Sequence, residues 1–432
     1  MVWSDPIRGI INVIKYPGLL YQEKEMSLNT PASLKRSLGF WLLLFYGVGN
    51  ILGAGIYVLV GKVAAQAGYF VPLSFMLAAF VAAFSAFTYA ELSARYPFAA
   101  GEAVYLQKGF GVTWLSSATG LLIAMAGILS AATIARGFVG YLQLFVEIPQ
   151  WLAIVVLLFM LGTVAMWGIA ESVKVAALFT LLEIFGLLLI IFTGSAQLER
   201  LPGIIENLPA LNQWHLWPGI FLGAFLAFYA FIGFEDMVNV AEEVREPEIN
   251  MPRAILWALI TATLLYAMVS LVAVVNLSPQ QLAASKAPLA DLYTAATGRK
   301  PVVISLISLF AIVNGALIQI IMASRIFYGM SRRGWLPAIL GRVSRRTHTP
   351  VIATLLVTSL IMVLALWFPL VKLAASTSYL ILSVFLLVNL ALLRIRAIYP
   401  LPANVRGYPV WVPLMGAAGS LFLLVAQLIS RS

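Results

Sequence analysis

The chain has 432 residues, 62% of them hydrophobic and only 10% charged, with a mean hydropathy of +0.97. A soluble domain carries roughly 25% charged residues, so this composition excludes a soluble globule and predicts an all-α integral membrane protein. The formal net charge of +10 is spread over the segments between apolar spans and makes no nucleic-acid patch, and the absence of cysteine rules out disulfides and thiolate metal sites.

In chain order, residues 1–36 form a polar lead without the apolar core and small-residue cleavage site of a signal peptide. Within it, "DPIRGIINVIKYPGLL" suits either an amphipathic stretch on the inner leaflet or a solvated tail. Eleven apolar spans follow, near 40–61, 70–91, 113–137, 150–168, 173–195, 217–240, 254–276, 301–330, 350–368, 371–393 and 410–429, each close to the ~20 residues a helix needs to cross a bilayer. No loop is long enough for a soluble domain. His215 and His348 fall in loops, so a histidine metal site or proton relay within the membrane is not expected. No HExxH, GxSxG or phosphate loop is present; neither an enzyme, nor ATP-driven transport, nor a cofactor is called for. With the N-terminus inside, the inner segments hold most of the 27 Lys and Arg, including Arg36, Arg95, Lys108, Arg245, Arg253 and the arginines of 332–346. This is the positive-inside bias. It predicts a multi-pass cell-membrane protein with a cytoplasmic N-terminus and an external C-terminus, and the lipid bilayer accounts for most of the charge.

The first span contains "GVGNILGAGIYVLVG", with Gly53-Ala54-Gly55 at mid-depth. Glycine inside a helix costs about 1 kcal/mol against alanine. The sixth span, "GIFLGAFLAFYAFIGFEDMVNVAEE", breaks at Gly233 and then carries Glu235 and Asp236. One such helix is explained by close packing of small residues. Two, at corresponding places in oppositely oriented halves, point to a transporter site at the bilayer midplane. Amides freed at Gly53, Ala54 and Gly55, at the positive end of a half-helix, suit a carboxylate. Carbonyls freed at Ala230, Phe231 and Ile232 suit an ammonium. Together they describe an α-amino acid.

These stretches resemble the amino acid–polyamine–organocation transporter family. The resemblance is carried by the first-span glycine motif, by "YAELSARYPFAAGEAVYL" (89–106), by "FYAFIGFEDMVNVAEEVREPEINMPRAI" (228–255) and by "ASRIFYGMSRRGWLP" (323–337). It implies a LeuT-type fold of five plus five inverted helices, with helices 1 and 6 discontinuous, spanning about 37–396 with repeats near 37–196 and 214–396. It also implies alternating access, with substrate between spans one, three, six, eight and ten. Residues 397–432 would add a loop and a further span. Family members commonly have twelve spans; eleven here leave the oligomeric state open. The resemblance assigns the carboxylate to Gly53, Ala54 and Gly55, the amine to Ala230, Phe231 and Ile232 beside Gly233, and an aromatic lid to Phe231 or Phe234.

Ionisable groups within the membrane are functional candidates by default. Glu183 stands where some bacterial relatives have a lysine, thought to replace a sodium ion; a carboxyl there could carry a proton or could simply bond a neighbouring helix. Glu235 resembles an acidic residue of several relatives that could gate the pocket, bind a proton or pair with a cationic substrate. Asp236 is adjacent, and neighbours on a helix do not share a face, so at most one of the two is expected in the site. Glu91, Glu242 and Glu243 read as salt-bridge partners, with Arg245 near the latter two. On span eight, Asn314 and Gln319 lie about 140° apart around the helix, with Gln319 the better pocket candidate; Thr377 and Ser378 could add hydroxyls. The leading expectation is a secondary amino acid transporter, proton-coupled or exchanging. The alternatives are a polyamine or organic-cation carrier and a non-transporting amino acid receptor.

Overall fold

The computed structural model describes residues 36–143, 145–285, 287–368 and 370–429. The expectation for the lead segment 1–35 therefore lies outside the described residues. Helices occupy all eleven predicted spans: α1 (Phe40–Ala67), α2 (Val71–Arg95), α4 (Thr113–Leu142), α5 (Gln150–Trp167), α6 (Ile169–Gly194), α8 (Trp217–Phe231) with the 3-10 segment Glu235–Glu243, α9 (Pro247–Asn276), α12 (Val302–Arg332), α13 (Val351–Trp367), α14 (Leu370–Ile398) and α15 (Trp411–Ile429). Short helices join them: α3 (Gly101–Phe110), α7 (Leu201–Glu206), α10 (Pro279–Ala284) and α11 (Pro288–Thr297). Among the described residues, nine segments are long and apolar enough to cross a membrane, and Val351–Trp367 and Trp411–Ala426 are shorter apolar helices. Large apolar side chains point outward, among them Phe159 at 71% and Phe192 at 78% exposure, as suits helices bathed in hydrocarbon rather than water.

Helices pack across the two halves of the chain. Extensive contacts join α1 to α8, α2 to α9, α4 to α12 and α5 to α13, each pairing a span with the span five later. This is the LeuT-type arrangement of two repeats. The most buried spans are α4 and α12, whose most apolar windows are 72% and 78% buried, so most side chains on them meet protein rather than lipid.

Both predicted breaks are present. At Gly53 the backbone of α1 leaves the helical region (φ 0°, ψ −135°). After α8 the chain extends at Ile232 and turns at Gly233 with φ 138°, a conformation essentially reserved for glycine. A Cβ on Gly233 would also lie 2.9 Å from the Asn50 carbonyl carbon, and one on Gly55 would lie 2.8 Å from the Cα of Ala230. Breaking and close approach are thus served by different glycines of the same motif.

One end of the bundle carries the basic segments, and it is closed. Ser37 and Leu38 donate backbone N–H groups to the Glu243 carbonyl, both at 3.0 Å, and Arg245 N–H returns to the Leu38 carbonyl at 2.9 Å. The Arg325 guanidinium of α12 pairs with Glu243 at 3.0 Å, both side chains fully buried. Glu243 thus pairs across to α12, whereas Arg245 donates to the Arg36 carbonyl at 3.4 Å. Glu242 accepts from the Ala99 N–H at 3.1 Å. Buried Glu91 receives Arg95, Arg396 and the Tyr408 N–H, joining α2 to α14 and the segment before α15.

Candidate substrate site

The breaks bring two sets of backbone groups together. The hydroxyl of Tyr266, on α9, lies 2.5 Å from the Ile51 carbonyl, 3.1 Å from that of Ala230 and 3.4 Å from that of Leu52. A tyrosine hydroxyl donates a single hydrogen, so these carbonyls, taken from both breaks, keep accepting capacity.

Beside them lies a cavity of about 30 Å³, lined by Asn50, Ile51, Gly53, Gly55, Ser130, Ile134, Tyr229, Ile232, Gly315 and Gln319. A single water needs roughly 10–15 Å³ of such space, and ligand pockets usually offer on the order of several hundred. In this conformation the space is too small for an amino acid, and the walls must part to admit a substrate. A larger groove of about 620 Å³ between α2 and α9, bordered by Met76, Phe80, Leu259 and Leu264, faces outward, is almost wholly apolar and offers no polar handle.

A layer of amides forms the polar wall of the cavity. Asn50 donates to the Gly233 carbonyl at 2.8 Å and to Asp236 Oδ2 at 2.5 Å. Gln319 donates to the same Oδ2 at 2.7 Å and to Asn50 Oδ1 at 3.2 Å. These bonds tie α1, α12 and the 3-10 segment through one carboxylate, which stands behind the cavity wall. Glu235 turns the other way and accepts from the Gly233 N–H at 2.8 Å. The cavity lining itself carries no charged side chain. Ser130 brings in α4, its hydroxyl 3.5 Å from that of Tyr229.

Glu183 lies outside this lining. Its Oε1 accepts from Asn314 at 2.8 Å, and Asn314 also reaches Thr180, whose hydroxyl donates to the Phe45 carbonyl of α1 at 3.0 Å. A second buried polar node therefore joins α6, α12 and α1. Glu183 Oε2, Glu235 Oε1 and Asp236 Oδ1 have no hydrogen-bond partner among the described residues.

Of the predicted residues, Gly53, Gly55, Ile232 and Gln319 line the cavity; Gly233 makes the second turn and Ala230 presents its carbonyl to Tyr266. The Ala54 side chain lies outside what the structure describes. Phe231 and Phe234 do not line the cavity in this conformation: Phe231 packs against Tyr266 and Phe75, and Phe234 against Tyr89 and Phe385. Thr377 bonds its own helix at the Leu373 carbonyl. Asn314 and Gln319 diverge to the two nodes, as their angular separation requires. The sequence reading passed over Asn50, Ser130, Tyr229 and Tyr266. Asn50 had a visible signal, being an amide within an apolar span, three residues before the break.

Two helices broken at matching depth, in halves that pack span against corresponding span around a small polar cavity, define a LeuT-type carrier architecture. A solved structure of a Na⁺-coupled sialic acid symporter in a substrate-bound outward-open state shares the fold, with a TM-score of 0.60 and 15% identity over 91% of this chain and 90% of that one. The amino acid permease family model matches residues 38–431, and the chain belongs to that family. It is similar to cationic amino acid transporter 3, mitochondrial, of Arabidopsis thaliana, being 30% identical over 390 residues that cover 85% of this chain and 63% of the relative. It is also similar to the branched-chain amino acid permease BcaP of Bacillus subtilis (strain 168), 27% identical over 429 residues that cover 91% and 88%. The chain thus spans just under two thirds of the plant relative's length and most of the bacterial one's.

Proposed function

We propose that the chain is a secondary carrier of α-amino acids that works by alternating access, either with protons or by exchange, and has no enzymatic activity. The basic end faces the cytoplasm of a cell membrane. The observation that carries this reading is the convergence of both helix breaks on one small polar cavity. The amides after Gly53 receive the substrate carboxylate, and the carbonyls of Ile51 and Ala230, shared with Tyr266, receive its ammonium. Ile51, Ile134 and Ile232 surround the space left for the side chain. The uncharged lining favours a neutral, apolar side chain over a polyamine. A cationic side chain is the second reading, supported by the unpartnered oxygens of Glu235 and Asp236 behind the amide layer.

The test is uptake by purified protein in liposomes, with and without an inward proton gradient and with and without unlabelled amino acid inside. Gradient-driven uptake into empty vesicles is expected for a symporter, with Glu183→Gln and Glu235→Gln as the next variants. Uptake only into loaded vesicles identifies an exchanger. Saturable binding without flux in any condition overturns the carrier reading in favour of a receptor. Competition by leucine, isoleucine and valine, against arginine, lysine and putrescine, decides between the side-chain readings.

A further inference from the structure

The segment between α12 and α13 carries charge that the site above does not use. Residues 331–350, "SRRGWLPAILGRVSRRTHTP", hold five arginines and no aspartate or glutamate. The positive-inside bias accounts for arginines at this end but not for their arrangement. Arg332, Arg342 and Arg345 line one cavity of about 510 Å³, together with Ser331 and Gly341. All three are exposed, and among the described residues none of them stands in an ion pair. The field of Arg332 and Arg333 reaches Glu242, but Glu242 accepts from the Ala99 N–H and pairs with neither. Arg333 turns instead over the Phe98 ring at 5.0 Å and the Trp335 ring at 6.0 Å.

A second arginine-lined cavity at this end, of about 400 Å³, differs in kind. There Arg95 and Arg396 direct their guanidinium donors to the buried carboxylate of Glu91. The first cavity has no such carboxylate in its lining.

Its walls are held in place by hydrogen bonds. Gly334 and Trp335 return their N–H groups to the Ser331 and Met330 carbonyls, both at 3.0 Å, so the last carbonyls of α12 are occupied. The Ser331 hydroxyl donates to the Pro337 carbonyl at 2.7 Å, which sets the 3-10 turn Ala338–Gly341 against the end of α12. The approach is close: a Cβ on Gly341 would lie 2.9 Å from Ser331 Oγ. Further on, the Ser344 N–H donates to the Thr349 carbonyl at 3.0 Å, and the Thr349 hydroxyl to the Met166 carbonyl of α5 at 3.0 Å.

Several guanidinium groups around one cavity, without a carboxylate among them, suit a phosphate, which arginine grips through two parallel N–H groups. The cavity joins the ends of two apolar helices, one of them long enough to cross a bilayer, and so lies at the membrane surface. Ile339, in the same 3-10 turn, is 48% exposed. An apolar side chain beside uncompensated arginines fits a ligand whose chains lie in the bilayer better than a free anion. We propose that this cavity binds the headgroup of an anionic phospholipid, and that the lipid braces the end of α12 against the 3-10 turn. This goes beyond the carrier reading and does not depend on which amino acid is carried or on what drives it.

The experiment melts the purified full chain in mixed micelles of a neutral detergent and phosphatidylglycerol, at rising lipid mole fraction and fixed ionic strength. Phosphatidylcholine and inorganic phosphate serve as comparison probes. The cavity variant is Arg342→Gln with Arg345→Gln. Arg253→Gln with Arg394→Gln removes the same charge from exposed positions outside the cavity. Phosphatidylglycerol is expected to raise the wild-type melting temperature saturably, as a ligand of the folded state does. The cavity variant should need at least about tenfold more lipid for half the effect, the scale of two lost arginines near anionic lipid, while the charge-matched control keeps the wild-type midpoint. Native mass spectrometry gives a readout independent of melting: phosphatidylglycerol stays on wild type and control and is lost from the cavity variant. Equal shifts or equal retention in the two variants mean diffuse attraction and overturn the site. An equal rise with phosphatidylcholine, or no rise with phosphatidylglycerol, overturns it as well. A rise reproduced by inorganic phosphate and abolished in the cavity variant overturns the lipid in favour of a soluble anion.

Discussion

Tyr266 stands 215 residues from Ile51 in sequence, yet its one hydroxyl lies within hydrogen-bond reach of carbonyls at both breaks. In Tyr266→Phe, buried carbonyls of α1 and α8 lose that donor. An unsatisfied buried polar group costs about 1–3 kcal/mol, so the melting temperature in detergent should fall by a few degrees. If those carbonyls receive the substrate ammonium as proposed, saturating amino acid should restore more of the loss than it adds to wild type, because the ammonium takes the vacated place. A melting curve identical to wild type in both conditions would show that the hydroxyl is dispensable. Gly233→Ala is more severe: φ 138° forbids the side chain, and its Cβ would press on the Asn50 backbone. A strained position of this kind costs on the order of 1–3 kcal/mol. Binding should be lost along with stability, since Asn50 orders the cavity wall. At this scale the sequence was only partly legible. Glycine and acidic residues stand out inside an apolar span because they are costly there, and Gly53, Gly233, Glu235 and Asp236 were found on that ground. Tyr266 and Ser130 carry no such mark: each is an ordinary residue of a membrane helix until the fold places it against a partner hundreds of positions away or on the opposite helix.

Among elements, the 3-10 segment Glu235–Glu243 shows what hydropathy conveys and what it omits. The apolar run predicts a sixth span to about residue 240, and the segment Trp214–Glu243 is long and apolar enough to cross there. The winding was not predictable from hydropathy, which reports depth and not hydrogen-bond period. A 3-10 helix rises about 2.0 Å per residue against 1.5 Å for an α-helix, so this short stretch reaches further and delivers Glu243 to Arg325 and to the start of α1. That pair is buried on both sides. Removing one partner leaves a naked charge, and Arg325→Met is expected to cost about 3–5 kcal/mol. Adding Glu243→Gln should return a large part of it, as removal of both charges of a buried pair is often nearly neutral. Thermal unfolding of the two single variants and the double variant measures the coupling. Additive losses would mean that the pair does not hold the basic end shut.

For the whole molecule, the decisive quantity is the size of the cavity. About 30 Å³ accommodates water but not an amino acid, while the basic end is sealed by α1, α12, the 3-10 segment and the loop at Ala99. On the proposed carrier reading the two halves rock apart around the breaks for a substrate to enter, and the cavity wall becomes reachable from water during each cycle. The chain has no cysteine, so one introduced thiol reports this without background. Ser130→Cys changes an oxygen for a sulfur on the cavity wall and leaves both breaks intact. A membrane-impermeant thiol reagent should label it slowly, at a rate set by opening rather than by thiol chemistry. Substrate should protect it at concentrations that also saturate uptake. Labelling by reagent applied from each side in turn shows whether one cavity serves both faces, which alternating access demands. A thiol labelled from one side only, at a rate indifferent to amino acid, would remove the cavity between the breaks from the transport path.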